Sequence, residues 1–197
     1  MTLSPYHDGM RALQDLRDTR ALADRLAEIT LRQVFSEDDR GFIARATQFF
    51  LATADAEGRP ECSYKGGAPG FVRVLDDRTL AFPDYDGNGM YRSLGNLRVN
   101  PHVGMLFVDF EGRQRIRVNG TASVDLSDPL QRELPGAVFV VRVTVREIFP
   151  NCPRYLHPVT GGGLCEHAPR VGHEVPGAAW KQYAVFQDVL PERDRGG

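Results

Sequence analysis

Lysine is almost missing from this chain of 197 residues, since only Lys65 and Lys181 occur and every other Lys or Arg is arginine. The formal net charge is -2, so the composition gives no sign of the basic surface that nucleic-acid binding requires. Cysteine is also scarce. The three cysteines are an odd number, and a chain of this length builds a core without disulfides. We therefore expect a reduced, cytoplasmic location.

Long hydrophobic runs are absent as well. No stretch approaches the roughly 18 apolar residues that cross a bilayer, so we expect no membrane partner. Residues 1–8 lack the basic and apolar regions of a signal peptide. The remaining composition, 42% hydrophobic and 25% charged, is typical of a globular protein and excludes a disordered chain or a coiled coil.

The N-terminal part of the chain is predicted to be helical. Apolar residues recur at helical spacing between residues 10 and 35. Ser36, followed by three acidic residues, is predicted to cap a short helix through Phe42, Ile43 and Ala46. We expect a helical extension over 1–35 and a main domain over 36–150. An irregular segment over 151–197 is expected to complete the same domain.

From residue 48 onward the pattern is typical of strands joined by tight turns. A short helix interrupts them within 84–100 and ends at Asn100-Pro101. The pattern favours a closed or partly closed antiparallel barrel, and no Gly-x-Gly-x-x-Gly motif supports a Rossmann fold. The predicted strands are 48–54, 59–64, 71–75, 79–82, 103–110, 115–124 and 137–148.

Two glycine-rich segments are candidate ligand sites. In the first, Lys65 lies beside Gly66 and Gly67, where the backbone can approach an anion closely. A flexible turn with a surface lysine accounts for the same residues. The second segment, 83–97, leads from a strand into a helix.

In that second segment Gly87, Asn88 and Gly89 can form an anion-binding nest, with Arg92 and Ser93 in the first helical turn. A helix-capping loop is the alternative interpretation. Both segments are therefore candidates for phosphate binding.

Other reactive groups fit known sites less well. Cys152 follows Asn151 and precedes Pro153, a setting that suits a reactive thiol or a buried structural cysteine. The spacing of Cys152, His157, Cys165 and His167 matches no structural zinc pattern, so we predict no metal site. The serines lack the Gly-x-Ser-x-Gly context of a hydrolase.

Three segments together resemble the pyridoxamine 5'-phosphate oxidase-like FMN-binding split-barrel proteins. They are Ser63–Phe71, Pro83–Pro101 and Arg115–Gly120, and the similarity runs from about Phe42 to about His157. The resemblance implies a mainly β fold with flanking helices, built as an antiparallel split β-barrel of six to seven strands. It also implies a homodimer with FMN at the interface, contacted by both chains.

The resemblance further implies which residues contact the cofactor. Arg73 lies where the family places a basic residue near the phosphate. Pro83, Asp84 and Tyr85 follow the fourth strand at the edge of the isoalloxazine ring. Either Gln114 or Arg115 takes the place of a ring-contacting glutamine. The full set is Lys65, Gly66, Gly67, Arg73, Pro83, Asp84, Tyr85, Asn88, Arg92, Ser93, Gln114 and Arg115.

Two departures from the family's pattern bear on function. Residues 150–197 do not clearly match the segment that supplies a Trp and an Arg to genuine pyridoxamine 5'-phosphate oxidases, although Trp180 is a candidate. Arg92-Ser93 replaces an adjacent Arg-Lys pair. These departures speak against vitamin B6 oxidation and leave FMN binding in place.

The resulting hypothesis is an FMN-dependent oxidoreductase of unknown substrate. The alternatives are a non-catalytic flavin carrier or sensor, and a split barrel that binds haem or a deazaflavin instead.

Overall fold

The computed structural model describes residues 5–152, 154–157, 159, 166, 174 and 176–194. The α-helices are α1 (Asp8–Leu16), α2 (Arg20–Thr30), α3 (Glu37–Arg45) and α4 (Arg92–Val99). The strands are β1 (Gln48–Ala54), β2 (Pro60–Gly66), β3 (Arg73–Val74), β4 (Thr79–Tyr85), β5 (His102–Asp109), β6 (Gln114–Asp125) and β7 (Ala137–Pro150). Short 3-10 helices lie at Pro129–Glu133, Ala179–Gln182, Ala184–Phe186 and Glu192–Asp194.

The predicted helical stretch from 10 to 35 is broken into α1 and α2. Asp18 lies between them with φ 52°, in the left-handed region that ends a right-handed helix. The two helices are joined by side chains, since the Tyr6 hydroxyl donates to the Ala23 carbonyl at 2.8 Å and Arg11 pairs with Asp24 at 2.7 Å. The predicted helical stretch is therefore two helices, α1 and α2, and it ends at Thr30.

The predicted cap of α3 is confirmed. The Ser36 hydroxyl accepts from the Asp39 backbone N–H at 3.2 Å, and the Asp39 carboxylate accepts from the Ser36 N–H at 3.0 Å. This capping box satisfies two backbone donors that a helix start leaves unpaired. Arg32 adds a two-pronged ion pair to the buried Asp39.

All seven strands belong to one antiparallel sheet in the order β2-β1-β5-β6-β7-β4-β3. The strand predicted over 71–75 is only two residues long in the structure. The preceding Phe71 and Val72 are buried in the core and do not pair with a neighbouring strand. β4 continues to Tyr85 against the long strand β7. Pro83, Asp84 and Tyr85 therefore lie within the fourth strand, and the prediction that they follow it is wrong.

Strand alternation places the core on one face of the sheet. Phe49, Phe82 and Phe107 are fully buried. The ring centroids of Phe82 and Phe107 lie 5.0 and 5.1 Å from that of Phe49. Ile43 of α3 and Leu97 of α4 belong to the same cluster. Each such side chain contributes about 1.5–3 kcal/mol by leaving water, so this cluster fixes the strands that carry the site described below.

The chain divides into two compact units. One comprises Arg32–Pro153 and Pro158–Gly161, and it contains the sheet. The other comprises Met1–Leu31, Arg154–His157 and Gly162–Gly197, and in it Leu22 packs with Phe186 and Leu190. Within the described residues, no helix combines the length and the hydropathy that crossing a membrane requires. The predicted domain limits stay a prediction.

Candidate cofactor-binding cleft

An open cleft of about 240 Å³ lies where β2, the end of β4 and the start of α4 meet. Its first wall is β2, at the edge of the sheet. Glu61, Ser63 and Lys65 share one face of this strand and line the cleft, while Cys62 and Tyr64 on the opposite face are exposed. The two-residue period of a strand therefore delivers three polar side chains to one wall.

The second wall is the end of β4. Asp84 pairs with Phe139 and Tyr85 pairs with Ala137, so the register shifts by one residue of β7 at this point. Such a bulge bends the strand and redirects its side chains, and bulges are common beside functional sites. Here the buried Asp84 and the more exposed Tyr85 both line the cleft.

The third wall is the loop into α4. The Asn88 side chain accepts from the Met90 N–H at 3.0 Å, which shapes the loop. Tyr91 then adopts φ 47° and ψ 32°, an uncommon conformation for a tyrosine, and its ring packs edge-on against Phe139. None of the described side chains caps α4, so the N–H groups of its first turn are available to a ligand in the cleft.

Two loose ion pairs cross the cleft. Arg92 Nε lies 3.4 Å from Glu61 Oε1, and Lys65 Nζ lies 3.5 Å from Asp84 Oδ1. Both distances exceed the 2.7–2.9 Å of a strong charge-assisted hydrogen bond. Asn96 holds Glu61 from the other side with a 3.3 Å hydrogen bond. The two cations that face the cleft are thus balanced by two carboxylates.

The structure brings six of the twelve implied contact residues together and leaves six outside the cleft lining. The six in the cleft are Lys65, Asp84, Tyr85, Asn88, Arg92 and Ser93. The other six are Gly66, Gly67, Arg73, Pro83, Gln114 and Arg115. That any of the twelve binds a cofactor stays a prediction.

Packing accounts for the two glycines that follow Lys65. A Cβ at Gly67 would overlap the ring of Phe71, and one at Gly66 would approach the ring of Tyr64 to 2.9 Å. Gly67 also donates its N–H to the Thr47 carbonyl at 2.9 Å. At Gly67 the close approach that requires glycine is therefore to the buried Phe71, whereas at Gly66 it is only to the outer edge of an exposed tyrosine ring that can move.

The contacts of Arg73 and Pro83 are with the sheet and with a 3-10 helix beside it. Arg73 binds the carboxylate of Glu133 at 2.8 Å and the carbonyl of the same residue at 2.7 Å, which ties β3 to the 3-10 helix Pro129–Glu133. Pro83 is buried in β4 beyond the pairs that β3 makes with Leu80 and Ala81. A proline is tolerated at such a partly unpaired edge.

Gln114 and Arg115 begin β6, at a part of the sheet outside the cleft lining. Gln114 pairs with Asp109 in the ladder to β5. Arg115 donates from Nη2 to the Cys152 carbonyl at 2.5 Å, and its buried Nε has no hydrogen-bond partner among the described residues.

Glu61, Ser63 and Tyr91 line the cleft but are missing from the implied set. Glu61 and Ser63 were detectable from the sequence, because they precede Lys65 by four and two residues on a strand. Tyr91 had no such signal, since its backbone conformation is unusual for its residue type.

Two of the three cysteines lie in the described residues, and the predicted absence of a metal stays a prediction. Cys62 and Cys152 are free thiols, the first exposed and the second half-buried. Among the residues the structure describes, no three His, Cys, Asp or Glu side chains are grouped as metal ligands. Cys165 and His167 lie outside the described residues. Trp180, the candidate for the family's tryptophan, packs edge-on against Phe186.

A model of the family described as pyridoxamine 5'-phosphate oxidase matches residues 35–151, which is more than half of the chain. The matched range contains every strand and the entire cleft. No curated protein matches the sequence. The family match and the seven-stranded antiparallel sheet confirm the predicted mainly β, split-barrel fold.

Solved structures with a similar fold include proteins with different names. A putative pyridoxamine 5'-phosphate oxidase from Lactobacillus delbrueckii is 24% identical, with a TM-score of 0.48 over 61% of this chain and 99% of that one. HupZ of Group A Streptococcus is 23% identical, with a TM-score of 0.47 over 59% and 93%. HutZ, the heme storage protein from Vibrio cholerae, is 20% identical, with a TM-score of 0.44 over 57% and 91%. These identities are too low to transfer a ligand or an activity.

Proposed function

Because the chain belongs to the pyridoxamine 5'-phosphate oxidase family, we propose that its cleft binds FMN and that the protein is an FMN-dependent oxidoreductase. The observation that carries this proposal is the start of α4. Its first turn has no side-chain cap, and it presents Arg92 and Ser93 to a cleft that already contains Lys65. Uncapped backbone N–H groups, a guanidinium and a hydroxyl are the groups that bind a phosphate.

The polar groups at α4 suit a phosphate dianion. Ser93 is buried, and its hydroxyl makes no hydrogen bond with the described residues. Within the part of the chain that the structure describes, Arg92 is bound only through Nε, in the long contact with Glu61, so its two terminal nitrogens are available. A phosphate at this helix start would accept from Ser93, from Arg92 and from the backbone, and it would leave the Asn96–Glu61 hydrogen bond in place.

The remaining lining suits a flat ring. Tyr85, Tyr91, Met90 and Leu94 supply apolar and aromatic surface beside the polar Lys65. Small-molecule sites combine such apolar walls with a few polar groups that fix orientation. A bound flavin would supply the redox chemistry, and the protein would orient the ring and shield it from water.

The size of the cleft supports a homodimer. At about 240 Å³ it lies below the roughly 300–1,000 Å³ of sites that enclose a whole small molecule. A ligand as large as FMN would therefore extend beyond this chain's walls. We propose that a second copy of the chain covers the remainder.

An absorbance spectrum of the purified protein from 300 to 600 nm, with mass identification of the released chromophore, tests the cofactor. The proposal predicts flavin bands and released FMN, or both after the apoprotein is incubated with FMN. A Soret band after haem addition without any FMN binding would contradict the proposal. Retention of a deazaflavin in preference to FMN would do the same.

Anaerobic mixing of the FMN-loaded protein with NADH or NADPH tests the oxidoreductase half of the proposal. Loss of the flavin absorbance on mixing, followed by its return in air, is the expected result. A bound flavin that no donor reduces would favour the carrier or sensor instead.

A further inference from the structure

The chain contains two Asn-Gly pairs, Asn88-Gly89 and Asn119-Gly120. In such a pair the backbone nitrogen of the glycine can attack the side-chain amide carbon of the asparagine, because glycine has no side chain to obstruct the approach. The attack also requires an accessible asparagine and a backbone that is free to rotate. The surroundings of each pair in the fold therefore decide how readily it reacts.

The fold protects Asn119-Gly120. Both residues lie in β6, which is paired with β5 on one side and with β7 on the other. Gly120 is buried, and a Cβ there would overlap the Thr144 carbonyl. The amide of Asn119 donates to the Glu147 carboxylate at 3.2 Å. Attack at this pair would require both ladders to open, which costs the hydrogen bonds of a central strand.

Asn88-Gly89 has the opposite surroundings. It lies in the loop between Tyr85, the last paired residue of β4, and Arg92, the first residue of α4. Both residues of the pair are exposed, and a Cβ at Gly89 would meet no atom within 4 Å. The Gly89 N–H donates no hydrogen bond to any residue that the structure describes. The ladders that protect Asn119 have no counterpart in this loop.

The Asn88 side chain is already folded toward the attacking atom. Its Oδ1 accepts from the Met90 N–H at 3.0 Å, and this hydrogen bond spans the Gly89 peptide. Such an Asx turn brings the side-chain amide close to the backbone nitrogen that follows it. The same hydrogen bond draws electron density from the amide carbon and makes it more electrophilic. The turn that shapes the loop is therefore also the arrangement from which the attack starts.

We propose that Asn88 is a site of spontaneous deamidation. The Gly89 nitrogen forms a bond to Asn88 Cγ and loses its proton, and the side-chain nitrogen leaves as ammonia, which produces a cyclic imide. Water then opens the imide at either carbonyl and restores the Gly89 N–H, so the product is an aspartate or an isoaspartate. Water is the one co-reactant, and nothing is oxidised or reduced.

The product places a new carboxylate in the cleft. Asn88 lines the cleft, where the two cations Lys65 and Arg92 are already balanced by Asp84 and Glu61. A third carboxylate makes the lining net negative, and its repulsion weakens the binding of an anion at the start of α4. This consequence rests on the proposed function, whereas the deamidation itself does not.

The reaction is tested by incubating the purified apoprotein at mildly alkaline pH. Trypsin places the two pairs in separate peptides, 79–92 and 118–132, and mass spectrometry measures the conversion of amide to acid in each. We expect Asn88 to convert at least about tenfold faster than Asn119, and the difference to disappear largely in concentrated urea. In Asn88→Gln the peptide 79–92 should keep its mass, because the longer side chain disfavours ring closure.

Equal rates at Asn88 and Asn119 in the folded protein would overturn the inference. A difference that persists in urea would do the same, because it would originate in the local sequence and not in the fold. Isoaspartate in the peptide 79–92, detected by enzymatic methylation, would identify the imide as the intermediate.

Asn88→Asp reproduces the charge of the product and tests its consequence. It should weaken FMN binding by at least about threefold and leave the affinity for riboflavin, which lacks the phosphate, within about twofold of that of the wild type. Ser123→Asp adds the same charge at an exposed position outside the cleft lining and should bind FMN as the wild type does.

An unchanged FMN affinity in Asn88→Asp would overturn the consequence for binding. A wild-type protein that deamidates at Asn88 but binds no FMN would instead refute the proposed function and support the deamidation. The two failures are therefore distinguishable.

Discussion

Arg92 is the side chain on which the phosphate assignment depends most. Replacing it with alanine removes a guanidinium at the uncapped start of α4 and leaves the helix backbone unchanged. Because a hydrogen bond to a charged group contributes about 1.5–3 kcal/mol, Arg92→Ala should weaken FMN binding by about tenfold or more. Isothermal titration calorimetry measures the change.

Arg98 supplies the control for Arg92, since it is an exposed arginine in the last turn of the same helix. Arg98→Ala should bind FMN with wild-type affinity. An equal loss of affinity in the two variants would show that general charge, and not the position of Arg92, attracts the phosphate.

The buried Asp128 predicts a pH dependence of stability. The hydrogen bonds from Arg142 hold the pKa of this carboxyl below its usual 3.8, and the Leu130 N–H lowers it further. A depressed carboxyl pKa contributes stability above the unfolded value, and that contribution is lost as the pH falls through the folded value. The free energy of unfolding should therefore decrease below about pH 4.

Asp128→Asn tests this contribution by urea unfolding. At pH 7 the variant should be about 1.5–3 kcal/mol less stable, because a charge-assisted pair is lost. Its deficit should shrink at pH 3, where the wild-type carboxyl is being protonated. The exposed Asp125→Asn serves as control. A deficit that is the same at both pH values would contradict the pKa shift.

Some side-chain positions could be predicted from the sequence, whereas contacts between distant residues could not. That Lys65, Arg92 and Ser93 lie at one cleft was predictable, because glycine-rich segments and a strand-to-helix junction often mark ligand sites. That they bind a phosphate stays a prediction. The partner of Arg73 was not, because Glu133 is 60 residues away and only the folded sheet brings them together. The ion pair of Lys65 with Asp84 depends in the same way on the packing of β2 near β4.

Among the elements, α3 has the best-defined start. Ser36→Ala removes the hydroxyl half of its capping box and should lower the free energy of unfolding by about 1 kcal/mol. Urea unfolding measures the loss, with the exposed Ser123→Ala on β6 as control. If both alanine variants match the wild type, the capping box does not stabilise the fold.

Two glycines in regular elements should respond to alanine in opposite directions. A Cβ at Gly120 in β6 would overlap the Thr144 carbonyl, so Gly120→Ala should destabilise the sheet by about 1–3 kcal/mol. Gly95 in α4 has open space around it, so Gly95→Ala should stabilise by about 0.5–1 kcal/mol through helix propensity. Chemical unfolding compares them, and a shift of the same sign in both would contradict the packing described here.

Elements were predictable to different degrees. The apolar alternation of β1, β5, β6 and β7 located these strands to within two residues. β3 was overestimated, because Phe71 and Val72 have a strand-like pattern but pack into the core without pairing. The break after α1 was missed, since an aspartate gives only a weak signal for a left-handed backbone.

For the whole molecule, we expect the proposed dimer also to bury apolar surface on the face of β2 opposite to the cleft. An outer patch, defined by Tyr64, Phe50 and Leu106, crosses three neighbouring strands. Tyr64 is 59% exposed and its ring packs edge-on against Phe50. Burying this aromatic surface against a second copy would be favourable. Sedimentation equilibrium should therefore give twice the chain mass of 21.9 kDa.

Tyr64→Glu should shift this assembly toward monomer, because it places a charge within the patch. Tyr183→Glu is the matched control, since Tyr183 is similarly exposed but lies in the other compact unit. A wild-type protein that sediments as a monomer at all concentrations would contradict the proposed dimer.

The central claim is that the cleft holds a flavin by its phosphate at the start of α4. The most direct measurement is a titration of the wild-type apoprotein with FMN and with riboflavin, which share the ring and differ in the phosphate. We predict that FMN binds at least about tenfold more tightly than riboflavin, since the phosphate meets Arg92, Ser93 and the uncapped helix start. Equal affinities for the two compounds, or no binding of either, would contradict the account.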